Sequence, residues 1–235
     1  MAYDVGDVGS GRRYLQQAMH LCQDIGDDAL AGEMLAGMSH QAAFLLFPVL
    51  AIDLAQAAKA NGTRAGVPAL VSESAVMEAH GLALANDERG CLVALRESEQ
   101  AFAAAEDRDR PEWLAYFDGA YLASKFGRCF RDLGRPAEAE RFARRSLDMI
   151  DGYDRGRLFN VVLLASVLVD QRQVEEACDT AWPRWVLPPT CDQPGLMPTW
   201  LTCRSGSRRS RPNRQCRAST SRSVCYFSEL GEHET

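Results

Sequence analysis

The stretch Leu122 to Met149, LASKFGRCFRDLGRPAEAERFARRSLDM, leaves little room for anything but a helix, a tight turn and a second helix. Phe126, Gly127 and Phe130 place a large, a small and a large residue on one helical face. Leu133-Gly134 close that helix, because glycine accepts the left-handed conformation that ends many helices. Pro136 opens the next one, where its missing N–H costs nothing. Ala139, Ala143, Ser146 and Leu147 then form the packing stripe of the second helix. The small residues Gly127, Ala139 and Ser146 let the two helices approach closely.

Helical periodicity runs through residues 1–181, with no sustained alternation for strands. Breakers interrupt it at Gly26-Asp27-Asp28, Asn61-Gly62, Asn86-Asp87, Arg110-Pro111, Leu133 to Pro136 and Asp151-Gly152. Their spacing predicts helix pairs repeating every thirty to forty-odd residues, the mark of a solenoid. The 122–149 unit resembles a tetratricopeptide repeat at almost every position of that motif. The same frame makes Gly11, Leu15 and Ala18 part of the second helix of a first repeat. It places a second repeat at 29–60 with Ala51, Ala55 and Ala58, and a third at 70–105 with Cys91, Leu95 and Ser98. A fifth begins at 155–180 with Ala165, Leu168 and Ala177. The fold expected is all-α, a right-handed superhelical solenoid of antiparallel helix hairpins of about four and a half repeats. Ala2-Tyr3-Asp4 read as the last turn of an incomplete first helix, so the repeat domain is expected to be N-terminally incomplete.

Composition changes near Ala181. Residues 1–181 carry 18 Lys+Arg against 28 Asp+Glu, and residues 182–235 carry 8 against 4. Six of the ten Pro, three of the four Trp and four of the eight Cys lie in the tail. Only Lys59 and Lys125 are lysines among 26 basic residues, a bias typical of a GC-rich gene. Alternate frames of such genes encode Pro, Arg, Trp, Cys and Ser. Restoring one nucleotide near Thr180 forces a large apolar residue at 182, 185, 191, 200 and 203, because Trp and Cys codons share their first two bases. The 182–235 tail is therefore expected to be disordered and derived from a frameshift. The other reading is a real basic arm, as Arg208-Arg209-Ser210-Arg211 suggests.

The segments YDVGDVGSGRRYLQQAMHL, MSHQAAF, VMEAHGLAL, EWLAYFDGAYLASKFGRCFRDLGRPAEAERFARRSLDM and VEEAC resemble the tetratricopeptide half of actinobacterial XRE-type helix-turn-helix transcriptional regulators. The resemblance covers residues 2–180 and is strongest at 112–149. It implies a regulatory module that binds a protein or peptide and can self-associate. No helix-turn-helix motif occurs in the chain, so DNA binding is carried over to no residue. The acidic body makes direct nucleic-acid contact by residues 1–181 an unfavourable reading. The alternative is a DNA-associated regulator that uses the basic tail or a separate helix-turn-helix partner.

The first helices of stacked hairpins line a concave face. In this register His40, His80 and Arg128 share one repeat position, two residues after that of Phe126. Tyr121, Ser124, Arg131 and Asp132 lie nearby. These seven residues form the candidate groove, polar and partly cationic, for an acidic or extended peptide. The competing reading makes His40 and His80 satisfied core histidines.

Catalytic signatures are absent: there is no GxSxG, no Walker sequence and no GxGxxG after a strand. Glu73 with Glu78, and Glu97 with Glu99, read as solvated carboxylates, and no enzyme activity is expected. Cys22, Cys91, Cys129 and Cys178 read as buried small hydrophobes of a reducing compartment. No cofactor and no metal site is expected. The acidic start lacks a signal-peptide pattern, and the apolar run Ala42 to Ile52 is too short to span a bilayer, so a cytoplasmic protein is expected.

Overall fold

A computed structural model describes residues 8–106, 110–150 and 152–181, which lie within one compact unit, Met1–Val186. Among these residues the chain forms nine α-helices and no strand. They are α1 (Val8–Ile25), α2 (Asp28–Phe44), α3 (Pro48–Ala65), α4 (Pro68–Leu84), α5 (Glu88–Glu106), α6 (Gly119–Asp132), α7 (Pro136–Arg145), α8 (Asp154–Asp170) and α9 (Val174–Ala181). A single 3-10 turn, Glu112–Leu114, lies between α5 and α6. The readings of residues 182–235 and of Ala2-Tyr3-Asp4 fall outside the described residues.

Six of the helix junctions use one device. A left-handed residue follows the helix, and the next N–H reaches back five residues to a carbonyl of the last turn. It recurs at Gly26 (Asp27 N to Cys22 O, 3.0 Å), Leu46 (Phe47 N to Ala42 O, 2.9 Å), Asn86 (Asp87 N to Leu82 O, 2.9 Å), Gly134 (Arg135 N to Phe130 O, 2.8 Å) and Arg172 (Gln173 N to Leu168 O, 2.8 Å). Gly66 is also left-handed, and Val67 N bonds Gly62 O at 3.0 Å. Proline at the first turn starts α3, α4 and α7. Asp27 and Asp118 cap α2 and α6 by accepting from Leu30 N at 3.0 Å and Tyr121 N at 2.7 Å.

Two junctions differ from the sequence reading. Asn61-Gly62 does not end a helix: α3 continues to Ala65, and the turn falls at Gly66. Gly62 is instead a packing position, where an added Cβ would come within 3.1 Å of Leu70 and 3.2 Å of the Val71 backbone. The apolar run 42–52 is cut at Leu46, which takes φ 60° although it is not glycine.

Each hairpin packs tightly, and the even-numbered helices α2, α4, α6 and α8 also touch in succession. Small residues make the approaches possible. A Cβ on Gly127 would lie 3.2 Å from Ala143 N and 3.3 Å from Ala139 O. At the equivalent crossing of α2 and α3, buried Ser39 donates to Ala51 O at 2.7 Å. Between α4 and α5, Ser72 and Ser98 each donate to the other's carbonyl at 2.8 Å. One continuous apolar core runs through α4 to α9, with Leu70, Val76, Leu114, Phe117, Phe126, Val167 and Leu168 near its centre.

The connection from α5 to α6 aims a side chain at the even-numbered helices. Leu114 and Phe117 are fully buried, and the Phe117 ring meets Phe102 and Tyr121 edge-on at centroid distances of 5.8 and 5.5 Å. Arg110 donates to Phe117 O, which secures the segment from the other side. Tyr116, held between these anchors, turns towards α2 and α4.

Candidate functional site

The inner faces of α2, α4 and α6 carry an unusual density of buried polar groups. Helix α4 is buried on nearly all sides, and Glu73, Ser74, Glu78 and His80 lie among its buried residues. A buried charge is costly unless paired or neutralised, so the partners of each group decide what the site is.

Glu73 is 2% exposed and faces Glu33 of α2. Tyr116 Oη lies 2.8 Å from Glu33 Oε1 and 2.8 Å from Glu73 Oε1. A phenol donates a single proton. Two such contacts therefore require a second proton, carried by one of the carboxyls. Burial followed by the Glu33 charge pushes Glu73 up to about 8, and burial raises Glu33 as well. Burial next to the two carboxyls raises the Tyr116 phenol too, so it stays protonated as a donor. A hydrogen bond joins the Glu33 and Glu73 carboxyls; beyond it, Glu33 Oε2 and Glu73 Oε2 are buried and meet no donor among the described residues. A cavity of about 150 Å³ opens beside them, lined by Glu33, Ala36, Gly37, His40, Glu73, Met77, Tyr116 and Tyr121.

Lys125 of α6 completes the cluster. It is 6% exposed, its Nζ lies 2.8 Å from His40 Nδ1, and it sits 5.0 Å from the Tyr121 ring centroid. Burial and the neighbouring Arg128 bring its pKa down to about 7. The Lys125 charge, with burial, holds His40 well below the usual imidazole range, so the neutral ring accepts from Lys125 at Nδ1. His80 is lowered chiefly by burial; its Nε2 lies 3.2 Å from Asp132 Oδ2, and its buried Nδ1 meets no partner among the described residues.

The seven residues expected in the groove divide into two groups. His40, His80 and Arg128 come within electrostatic range of one another, and Tyr121 and Asp132 join the same cluster. Ser124 turns back on its own helix and donates to Tyr121 O at 2.8 Å. Arg131 pairs with Asp170 of α8 at 2.6 Å. Glu33, Lys125 and Tyr116 were not legible as site residues. Glu73 and Glu78 are not the solvated pair expected: Glu73 pairs with Glu33, while buried Glu78 accepts from Lys59 at 2.6 Å and Gln56 at 2.8 Å.

Cys22, Cys91 and Cys129 are buried, but Cys178 is exposed on α9, contrary to its expected burial. Burial and a hydrogen bond with Cys91 push the Cys129 thiol well up, away from the reactive thiolate. Among the described residues no group of three or more His, Cys, Asp or Glu is placed to hold a metal ion, and no helix is long and apolar enough to cross a membrane. Comparison of the chain with protein-family models, with curated proteins and with solved structures gives no match.

Proposed function

We propose that this chain is a non-enzymatic, tetratricopeptide-like repeat module that binds an extended peptide segment of a partner protein along its even-numbered helices. Four helix hairpins, α2–α3, α4–α5, α6–α7 and α8–α9, would then stack as successive repeats, with the even-numbered helices lining the concave side. The observation that carries this reading is the convergence of His40, His80 and Arg128. They hold one equivalent position on three successive even-numbered helices, and each contributes to the same polar cluster. Polar side chains repeated at one position along a row of helices give an extended peptide regularly spaced handles. The resemblance of residues 2–180 to the repeat half of XRE-type regulators supports a regulatory role for such binding, with self-association as a further property of the module.

Selection of a displayed peptide library against the full chain tests the reading. Peptides that bind are expected to lose affinity about tenfold or more with Arg128→Glu, and less with His80→Ala. Binding that survives both substitutions unchanged overturns the groove.

A further inference from the structure

We propose that the cavity between α2, α4, Tyr116 and the start of α6 is a site for a primary ammonium group, which displaces the proton held between Glu33 and Glu73. This deepens the peptide-binding reading and rests on it for the source of the ammonium, a lysine side chain of the partner; a free alkylamine has the same chemistry.

Three features of the site select that ligand. The first is the donor count. Apart from the hydrogen bond the two carboxyls share with each other, Glu33 Oε2 and Glu73 Oε2 are buried oxygens that no donor of the described residues meets, and Glu73 is 2% exposed and lines the cavity. An ammonium brings three donors and no acceptor, the complement of a carboxyl pair. The second is size. A cavity of about 150 Å³ admits a group of roughly benzene size and not a whole metabolite. The third is the wall: Tyr116, Tyr121 and Met77 supply apolar and aromatic surface for an alkyl stem beside the carboxyls.

The charged neighbours fix the proton count. Glu73 faces Glu33 from α2, Tyr116 from the connecting segment and Lys125 from α6, with His40, His80 and Arg128 behind. Lys125 is the cation whose charge acts on Glu73, but it is bonded to His40, and burial beside Arg128 weakens its hold on a proton. It therefore only partly offsets the two carboxyls near neutral pH. An entering R–NH3+ converts the singly protonated pair to two carboxylates: Tyr116 keeps its one hydrogen bond to one of them, the ammonium N–H groups take over on the other, and the displaced proton goes to solvent. No covalent bond changes. Because a proton leaves on binding, affinity rises as pH increases from 6 to 8.

Titration calorimetry of the full chain with n-butylammonium, with n-butanol as a neutral control, in buffers of different ionisation enthalpy, reads both affinity and proton release. The expected result is binding of the amine, no binding of the alcohol, and release approaching one proton per ligand at pH 7. Glu73→Gln is expected to weaken the amine about tenfold or more and abolish the release, and Glu33→Gln provides the same test if the first variant does not fold. Equal affinity for amine and alcohol, or full affinity in a folded Glu→Gln variant, overturns the site. A lysine-containing peptide with blocked termini forms the second arm. If n-butylammonium binds with proton release but no lysine peptide does, the site stands and the peptide reading fails. If library-selected peptides bind without a lysine and the amine does not bind, the groove stands and the ammonium site fails.

Discussion

Helix α7 and the inner face of α2 and α4 handle charge in opposite ways. On α7, Arg144 pairs with Glu140 one turn away at 2.8 Å and with Glu176 of α9 at 2.6 Å, all at the surface, while only Ala139 and Ala143 are buried. On α4, Glu73, Glu78 and His80 are buried inside the fold. The first arrangement follows from amphipathic patterning, where water screens the charges. The second holds charge down through shared protons and shifted pKa values, an arrangement that marks functional sites more often than scaffolds. A helix of the first kind packs; a helix of the second kind packs and also holds titratable groups out of water.

The comparison breaks most severely if its shared support is removed. Phe117 anchors the segment that delivers Tyr116 and is fully buried between Phe102 and Tyr121. Phe117→Ala is expected to cost about 3–5 kcal/mol in urea denaturation, lowering stability and disturbing the Tyr116 contacts together.

The next two tests separate the proton-holding groups by sign. Glu73 has a folded pKa of about 8 against an ordinary 4.5, so the folded state binds more protons than the unfolded state between those values. Its contribution is fully present below pH 4.5 and is lost as pH rises through 8. Glu73→Gln therefore gains stability relative to the parent over that window, on the order of 4 kcal/mol by pH 8. Lys125 has the opposite sign: its folded pKa of about 7 lies below the ordinary 10.5. The unfolded state then binds more protons between pH 7 and 10.5, and stability rises with pH there. The advantage of Lys125→Met is expected to be largest below pH 7, on the order of 4 kcal/mol, and to shrink towards pH 10.5. Urea melts of both variants across pH check the two windows separately. A flat difference for either variant removes that group from the comparison.

Smaller effects sharpen the contrast between the hairpins. The turn closing α6 uses Gly134 at φ 69°, whereas the turn closing α2 uses Leu46 at φ 60°. Leu46→Gly should raise the melting temperature, equivalent to about 0.5–1 kcal/mol, because leucine is strained in the left-handed region. Arg144→Ala, which removes two surface ion pairs, should cost only a few tenths of a kcal/mol and less in high salt.

Much of the scaffold was legible in the chain. Gly127, Gly134, Pro136 and Ala139 define a hairpin by local rules, and α6 and α7 form there. Gly26, Asn86 and Pro111 likewise fall at observed breaks. The misplaced break at Asn61-Gly62 shows where local rules end. Both residues sit inside α3 because a tertiary contact, the close approach of Gly62 to Leu70, needs a small residue on a helix face. The site was only half legible. The helical register brought out His40, His80 and Arg128, because they hold equivalent positions on α2, α4 and α6, which contact one another in succession. Glu33, Glu73, Tyr116 and Lys125 gave no such signal. Their meeting depends on the path of the α5–α6 connection and on which helix faces the core, and a buried carboxylate looks the same in sequence as a solvated one. The rarity of lysine, only Lys59 and Lys125 in the whole chain, was a trace of it. Both lysines bond inner-row groups, Lys59 with Glu78 and Lys125 with His40.

The claim on which the rest depends is that Glu33 and Glu73 hold a proton between them near neutral pH. Carbon-13 NMR titration of the glutamate side-chain carboxyls, with the Glu73 signal assigned by its loss in Glu73→Gln, measures this directly. A Glu73 midpoint near 8 is the result predicted. A midpoint in the ordinary glutamate range near 4.5 would contradict it and leave the cluster a set of ordinary charges.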